Sequence, residues 1–157
     1  VRWEQADKLH CTLKFLGEVP AERIGTLAGA LDAAVAPCHL FSVVYRGIGA
    51  FPPNGEPRVL WIGMEDPSGE AAALARVVDE CCVSLGFARE ERRFRAHVTI
   101  GRVRSPRRLR ELHSRMETVT FEGPRAIVDR VHLVQSVLRP SGSEYTTLHA
   151  SLLIGKP

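Results

Sequence analysis

The sequence predicts a mixed α and β fold, and three features carry that expectation. Runs rich in β-branched and aromatic residues recur between Gly- and Pro-containing breaks, as strands do. Other stretches space apolar residues at i, i+3, i+4 and i+7, the mark of helices with one buried stripe. The third feature is a repeat. His10-Cys11-Thr12-Leu13 and His97-Val98-Thr99-Ile100 both read H-x-T followed by an aliphatic residue, with Gly17 and Gly101 soon after. With one copy in each half of the chain, the repeat sits within a strand-and-helix grammar that supports a mixed α+β fold. At 157 residues, 45% apolar and 25% charged, the chain fits one globular domain that buries on the order of 70% of its unfolded surface.

In chain order, an extended run from Lys8 to Leu16 stops at Gly17-Glu18-Val19-Pro20. Pro20 opens a helix whose stripe is Ile24, Leu27, Ala28, Leu31 and Val35, ended by Pro37. A strand follows from Leu40 to Tyr45, and the Gly and Pro density of residues 47–55 reads as a loop. Arg58 to Met64 is the next strand. Asp66-Pro67-Ser68-Gly69-Glu70 is a helix-start signature, and Ala71, Leu74, Ala75, Val77, Val78 and Cys81 give that helix its stripe, to about Leu85. The second H-x-T strand spans about Phe94 to Val103, and Ser105-Pro106 begins a third helix to about Glu117. Two extended runs, Arg125 to Val137 and Tyr145 to Ile154, are joined by a hairpin-like loop at Arg139-Pro140-Ser141-Gly142-Ser143.

Alternation in a strand puts His and Thr two positions apart on one face and sends Cys11, Leu13, Val98 and Ile100 toward a core. Each copy therefore offers a titratable imidazole beside a hydroxyl. Imidazole titrates near ~6.5, so of two such groups one can accept a proton while the other donates. Opening a cyclic phosphodiester needs that pair on opposite sides of phosphorus, for in-line attack by water and protonation of the leaving oxygen. Thr12 and Thr99 can hydrogen-bond the non-bridging oxygens without a metal.

Leu9-His10-Cys11-Thr12-Leu13-Lys14-Phe15-Leu16-Gly17-Glu18-Val19 resembles the first motif of the LigT-like branch of the two-histidine phosphoesterases. Phe94-Arg95-Ala96-His97-Val98-Thr99-Ile100-Gly101-Arg102-Val103 resembles the second motif, with Ala96 where many relatives have Pro. Pro57-Arg58-Val59-Leu60-Trp61-Ile62-Gly63 is similar to a family strand, and Ser136, Leu138, Pro140, Gly142 and Tyr145 to the closing hairpin. This branch comprises the RNA 2',3'-cyclic phosphodiesterases, also called 2'-5' RNA ligases. The resemblance implies two pseudo-symmetric α+β lobes whose antiparallel sheets face a central cleft, with helices outside. It also implies metal-independent hydrolysis of RNA 2',3'-cyclic phosphate ends to 2'-phosphomonoesters, and reversible 2'-5' RNA ligation. By resemblance His10 donates a proton to the 3' oxygen and His97 accepts one from water. No cofactor is implied. The partner implied is RNA bearing such an end, tRNA fragments included, bound by a monomer. Relatives carry a strand and a helix before the first motif, so the chain is expected to lack them.

The net charge of +3 conceals a cluster: Arg89, Arg92, Arg93, Arg95, Arg102, Arg104, Arg107, Arg108 and Arg110 surround His97 against only Glu90 and Glu91. Such a collar favours a polyanion. Lys14 lies on the His10 face by periodicity and is a phosphate candidate, whereas Arg102 falls on the face opposite His97 unless the strand end bends back. Arg95 is a further phosphate candidate, and Phe51 and Tyr145 can stack an unpaired base. His132 and His149, in apolar strands, read as structural. The cysteines at 11, 38, 81 and 82 lack zinc spacing, so no metal site is expected, and they read as reduced core residues. With no apolar run long enough to span a membrane and no signal-peptide pattern, a cytoplasmic protein without membrane partners is expected. A two-histidine enzyme acting on small nucleotide cyclic phosphates and a non-catalytic RNA-binding module are the competing readings.

Overall fold

The computed structural model describes residues 1–104, 109–140 and 142–155. They form β1 (Arg2–Trp3), α1 (Ile24–Val35), β2 (Phe41–Phe51), β3 (Val59–Glu65), α2 (Glu70–Ser84), β4 (His97–Arg102), α3 (Leu109–Thr118), β5 (Glu122–Val128), β6 (Arg130–Arg139) and β7 (Gly142–Leu152). The expected mixture of helix and antiparallel sheet is present. The chain divides into two compact units, one of Val1–Thr12, Ser42–Ser68 and Arg95–Ala126, the other of Leu13–Phe41, Gly69–Phe94 and Ile127–Pro157. His10, Thr12, His97 and Thr99 all belong to the first unit. No helix among the described residues is long and apolar enough to cross a membrane.

The first unit is built on a five-stranded sheet in the order β1-β4-β3-β2-β5. β4 pairs antiparallel with β1 through Arg2 and Trp3, and with β3 along its other edge from Val59 to Gly63. One face buries Val43, Leu60 and Val98. The expected strand from Lys8 to Leu16 is not a continuous one. After Trp3 the chain leaves the edge of β4 for a 3-10 turn at Ala6–Lys8, and it rejoins that edge only at Cys11, which bridges Val98. The stretch expected as a loop from Gly47 onward continues β2 as far as Phe51. Its glycines serve the sheet. Gly47, at φ +75°, sits in a bulge between Tyr45 and Ile48 and donates its N–H to the Phe121 carbonyl, in a backbone state that a Cβ disfavours.

In the second unit the helical periodicities produce the expected buried stripes: Leu27, Leu31 and Val35 on α1, and Ala71, Leu74, Ala75, Val78 and Cys82 on α2. Cys82 faces inward where Cys81 was expected. Burial pushes its thiol up to about 11, which suits an inert packing residue. Helix α2 starts within its expected signature, at Glu70, after a left-handed Gly69 whose carbonyl takes the Ala73 N–H. The long run expected from Arg125 to Val137 is two strands, broken at Asp129; β6 then pairs with β7 as a two-stranded antiparallel sheet from Arg130–Leu152 to Arg139–Gly142. Val131 and Leu133 on β6 are buried, as is Leu153 just after β7. His149 is the structural residue expected, its Nε2 2.8 Å from Asp32 on α1, whereas His132 is exposed.

Candidate active site

The bridge between Cys11 and Val98 joins the middle residues of the two H-x-T motifs. In an antiparallel ladder this pairing sets Thr12 opposite His97 and His10 opposite Thr99. All four side chains leave the sheet on the face opposite Cys11 and Val98. The two imidazoles are then diagonal neighbours, with backbones on the order of 7–8 Å apart, about the span of an intervening phosphate. A local twofold axis through the Cys11–Val98 pair exchanges the motifs, residue for residue.

Hydrogen bonding respects this symmetry. Nδ1 of His10 lies 2.7 Å from the carbonyl of Lys8, and Nδ1 of His97 lies 2.6 Å from the carbonyl of Arg95, in each case the residue two before. A carbonyl only accepts, so Nδ1 carries the hydrogen on both rings, which leaves Nε2 as the basic nitrogen of each neutral imidazole. The same bond fixes each ring's rotation. Behind the pair, burial pushes the Cys11 thiol up while the backbone amide of His97 pulls it down, leaving it protonated at neutral pH.

Neighbouring strands complete the face. Along β3, Trp61 stands opposite Thr99 and Gly63 opposite His97. Phe51, at the end of β2, packs edge-on to His97 with ring centres 5.1 Å apart, and Trp61 lies 6.1 Å from the same imidazole. Phe51 is therefore at the site, against an imidazole. Trp61, Gly63 and Gly49 are residues that the sequence reading missed. Their signal was W-x-G in one strand facing G-x-G in the strand before it, but only the register reveals that these positions share a face with His97.

Other expected residues fall differently. Lys14 belongs to the second unit, its ammonium only 5% exposed, 2.5 Å from Asp79 and 2.7 Å from the Ala88 carbonyl; the chain after Thr12 is no longer strand, so alternation does not assign its side chain a face. Arg102 was expected opposite His97. A bulge between Leu60 and Trp61 resets the alternation and pairs Arg102 with Val59, on the side of Trp61, where its guanidinium lies 3.6 Å from Glu4. Arg95 is exposed and contributes its carbonyl to His97. Tyr145 stands on β7 opposite Ser136 in the second unit. Of the arginine cluster, Arg93 and Arg104 are exposed, Arg89 reaches toward Asp79 and Arg92 is forked onto Glu90; Arg107 and Arg108 lie outside the described residues.

Comparison with known proteins extends this geometry. The family model of the 2'-5' RNA ligase superfamily matches residues 4–139. An RNA 2',3'-cyclic phosphodiesterase from Archaeoglobus fulgidus is 37% identical over 149 residues, 94% of this chain and 81% of that protein. Among solved structures, TT0787 of Thermus thermophilus superposes with a TM-score of 0.83 at 27% identity, covering 99% of this chain and 84% of the other. Escherichia coli LigT complexed with 3'-AMP gives 0.74 at 27% identity, covering 97% and 80%.

Proposed function

Because the chain belongs to the 2'-5' RNA ligase superfamily, we propose that it is an RNA 2',3'-cyclic phosphodiesterase in which the two H-x-T motifs form one acid–base pair. The observation that carries this reading is the matched anchoring of both imidazoles, each held by Nδ1 to the carbonyl two residues before it. In the proposed reaction Nε2 of His97 takes a proton from water as the water oxygen attacks phosphorus in line. The bond from phosphorus to the 3' oxygen breaks, and His10 supplies that oxygen with a proton. The product ends in a 2'-phosphate and a 3'-hydroxyl. Thr12 and Thr99, between the two rings, donate to the non-bridging oxygens, where charge builds up. An RNA 5'-hydroxyl in place of water attacks the same phosphorus, gives its proton to His97 and, as the bond to the 3' oxygen breaks and His10 protonates that oxygen, forms a 2'-5' linkage.

No step needs a Lewis acid, because the proton transfers and the two hydroxyls account for the charge changes. The test is turnover of a nucleoside 2',3'-cyclic phosphate in EDTA, set beside an oligonucleotide with the same end. Undiminished hydrolysis to the 2'-phosphate in chelator is expected, with the oligonucleotide preferred. Activity that disappears on stripping metal would overturn the mechanism. A mononucleotide turned over as well as the oligonucleotide would move the substrate class to small nucleotides.

A further inference from the structure

His97 has a built aromatic surround. Phe51 and Trp61 contact each other with ring centres 5.4 Å apart at 36°, and both meet the imidazole at steep angles, 81° for Phe51 and 62° for Trp61. Trp61 in turn rests on Gly49, its partner across β2 and β3: a Cβ on Gly49 would stand 2.1 Å from Cζ2 and 2.3 Å from Cη2 of the indole. The indole therefore occupies the space that any other residue at 49 would fill. Its Nε1 is buried without a hydrogen-bond partner among the described residues, so the ring is held there by packing at the expense of a polar group. A side-chain torsion between tetrahedral and aromatic carbons is soft and roughly twofold, so an imidazole held by one hydrogen bond still rocks.

We propose that Phe51 and Trp61, seated on Gly49, are positioning residues that clamp the His97 ring and keep its Nε2 aimed at the attacking water. The inference rests on the acid–base reading above and adds residues that never touch the reacting atoms. Misplacing a reacting group by about 1 Å costs on the order of 10²-fold in rate. Loosening the clamp therefore lowers kcat and leaves KM nearly alone.

Gly49→Ala is the cleanest probe, because it displaces the indole without changing any ring. Its kcat on a nucleoside 2',3'-cyclic phosphate is expected to fall roughly 10- to 100-fold with KM changed less than about threefold. Phe51→Leu should do the same and Phe51→Tyr should restore kcat. A second readout needs no turnover: nitrogen-15 spectra of the histidine side chains, which report a fixed Nδ1–H tautomer for His97 in the wild type and averaging between tautomers in Gly49→Ala and Phe51→Leu. Unchanged kcat with a fixed tautomer in both variants would overturn the clamp, as would a rise in KM at constant kcat, which would make Phe51 a substrate contact. Should Gly49→Ala fail to fold, the Phe51 pair decides the matter. If the wild type itself hydrolyses no cyclic phosphate, the phosphodiesterase reading fails, and the tautomer measurement still decides whether the clamp exists.

Discussion

At the residue scale, the proposed chemistry divides between groups that move protons and groups that orient phosphate. Removing His10 or His97 removes a proton-transfer partner, and each His→Ala change is expected to lower kcat by on the order of 10²- to 10⁴-fold. Thr12→Ala and Thr99→Ala delete one neutral hydrogen bond apiece and should cost roughly tenfold or less. Circular dichroism and thermal melts on the same preparations check that the fold is retained. A His→Ala variant with near-normal turnover would remove that residue from the mechanism. In the proposed mechanism the two threonines contact one phosphate, so the double variant is expected to depart from the product of the singles.

At the element scale, Lys14 supplies a structural test. Its ammonium is nearly buried against Asp79, whose carboxylate also takes the Glu90 backbone N–H at 3.0 Å; Lys14 first and that amide second hold the Asp79 carboxyl below its usual range. A depressed carboxyl contributes stability that is full above the unfolded-state value of about 3.9 and is lost as pH falls through the lower native value. Asp79→Asn should therefore lower Tm at pH 6 to 7 and converge on the wild type toward pH 2. Melting curves across that range check it, and parallel curves would exclude the linkage. The same element shows where sequence reading reaches its limit. The stripes of α1 and α2 are legible because a 3.6-residue period needs no partner to be seen. Register does need one. Alternation puts Lys14 beside His10 and Arg102 behind His97, and both placements are undone by local breaks, the departure of the chain from the sheet and a one-residue bulge, that leave no mark in composition. The glycines of β2 read as a loop for a related reason: a glycine that admits a tryptophan from the next strand is indistinguishable, taken alone, from one that permits a turn.

At the scale of the whole molecule, the basic residues bear on substrate size. Arg93, Arg95 and Arg104 are exposed, and a longer RNA offers them phosphates that a mononucleotide lacks. Replacing the three with Gln is expected to weaken oligonucleotide binding far more than mononucleotide binding and to flatten its dependence on log salt by up to about 0.7 per lost contact. Titrations at several ionic strengths measure both quantities. An unchanged slope would make these arginines solvated surface.

The twofold axis between Cys11 and Val98 has a consequence for direction. Microscopic reversibility requires that the acid of the forward reaction be the base of the reverse one, and a pair of imidazoles related by a dyad satisfies that requirement without rearranging. Under the proposed chemistry the same pair therefore serves ligation and its reversal, in which the 3' oxygen attacks phosphorus of the 2'-5' linkage. Hydrolysis competes with ligation in the forward direction, where solvent and an RNA hydroxyl share one line of approach to phosphorus.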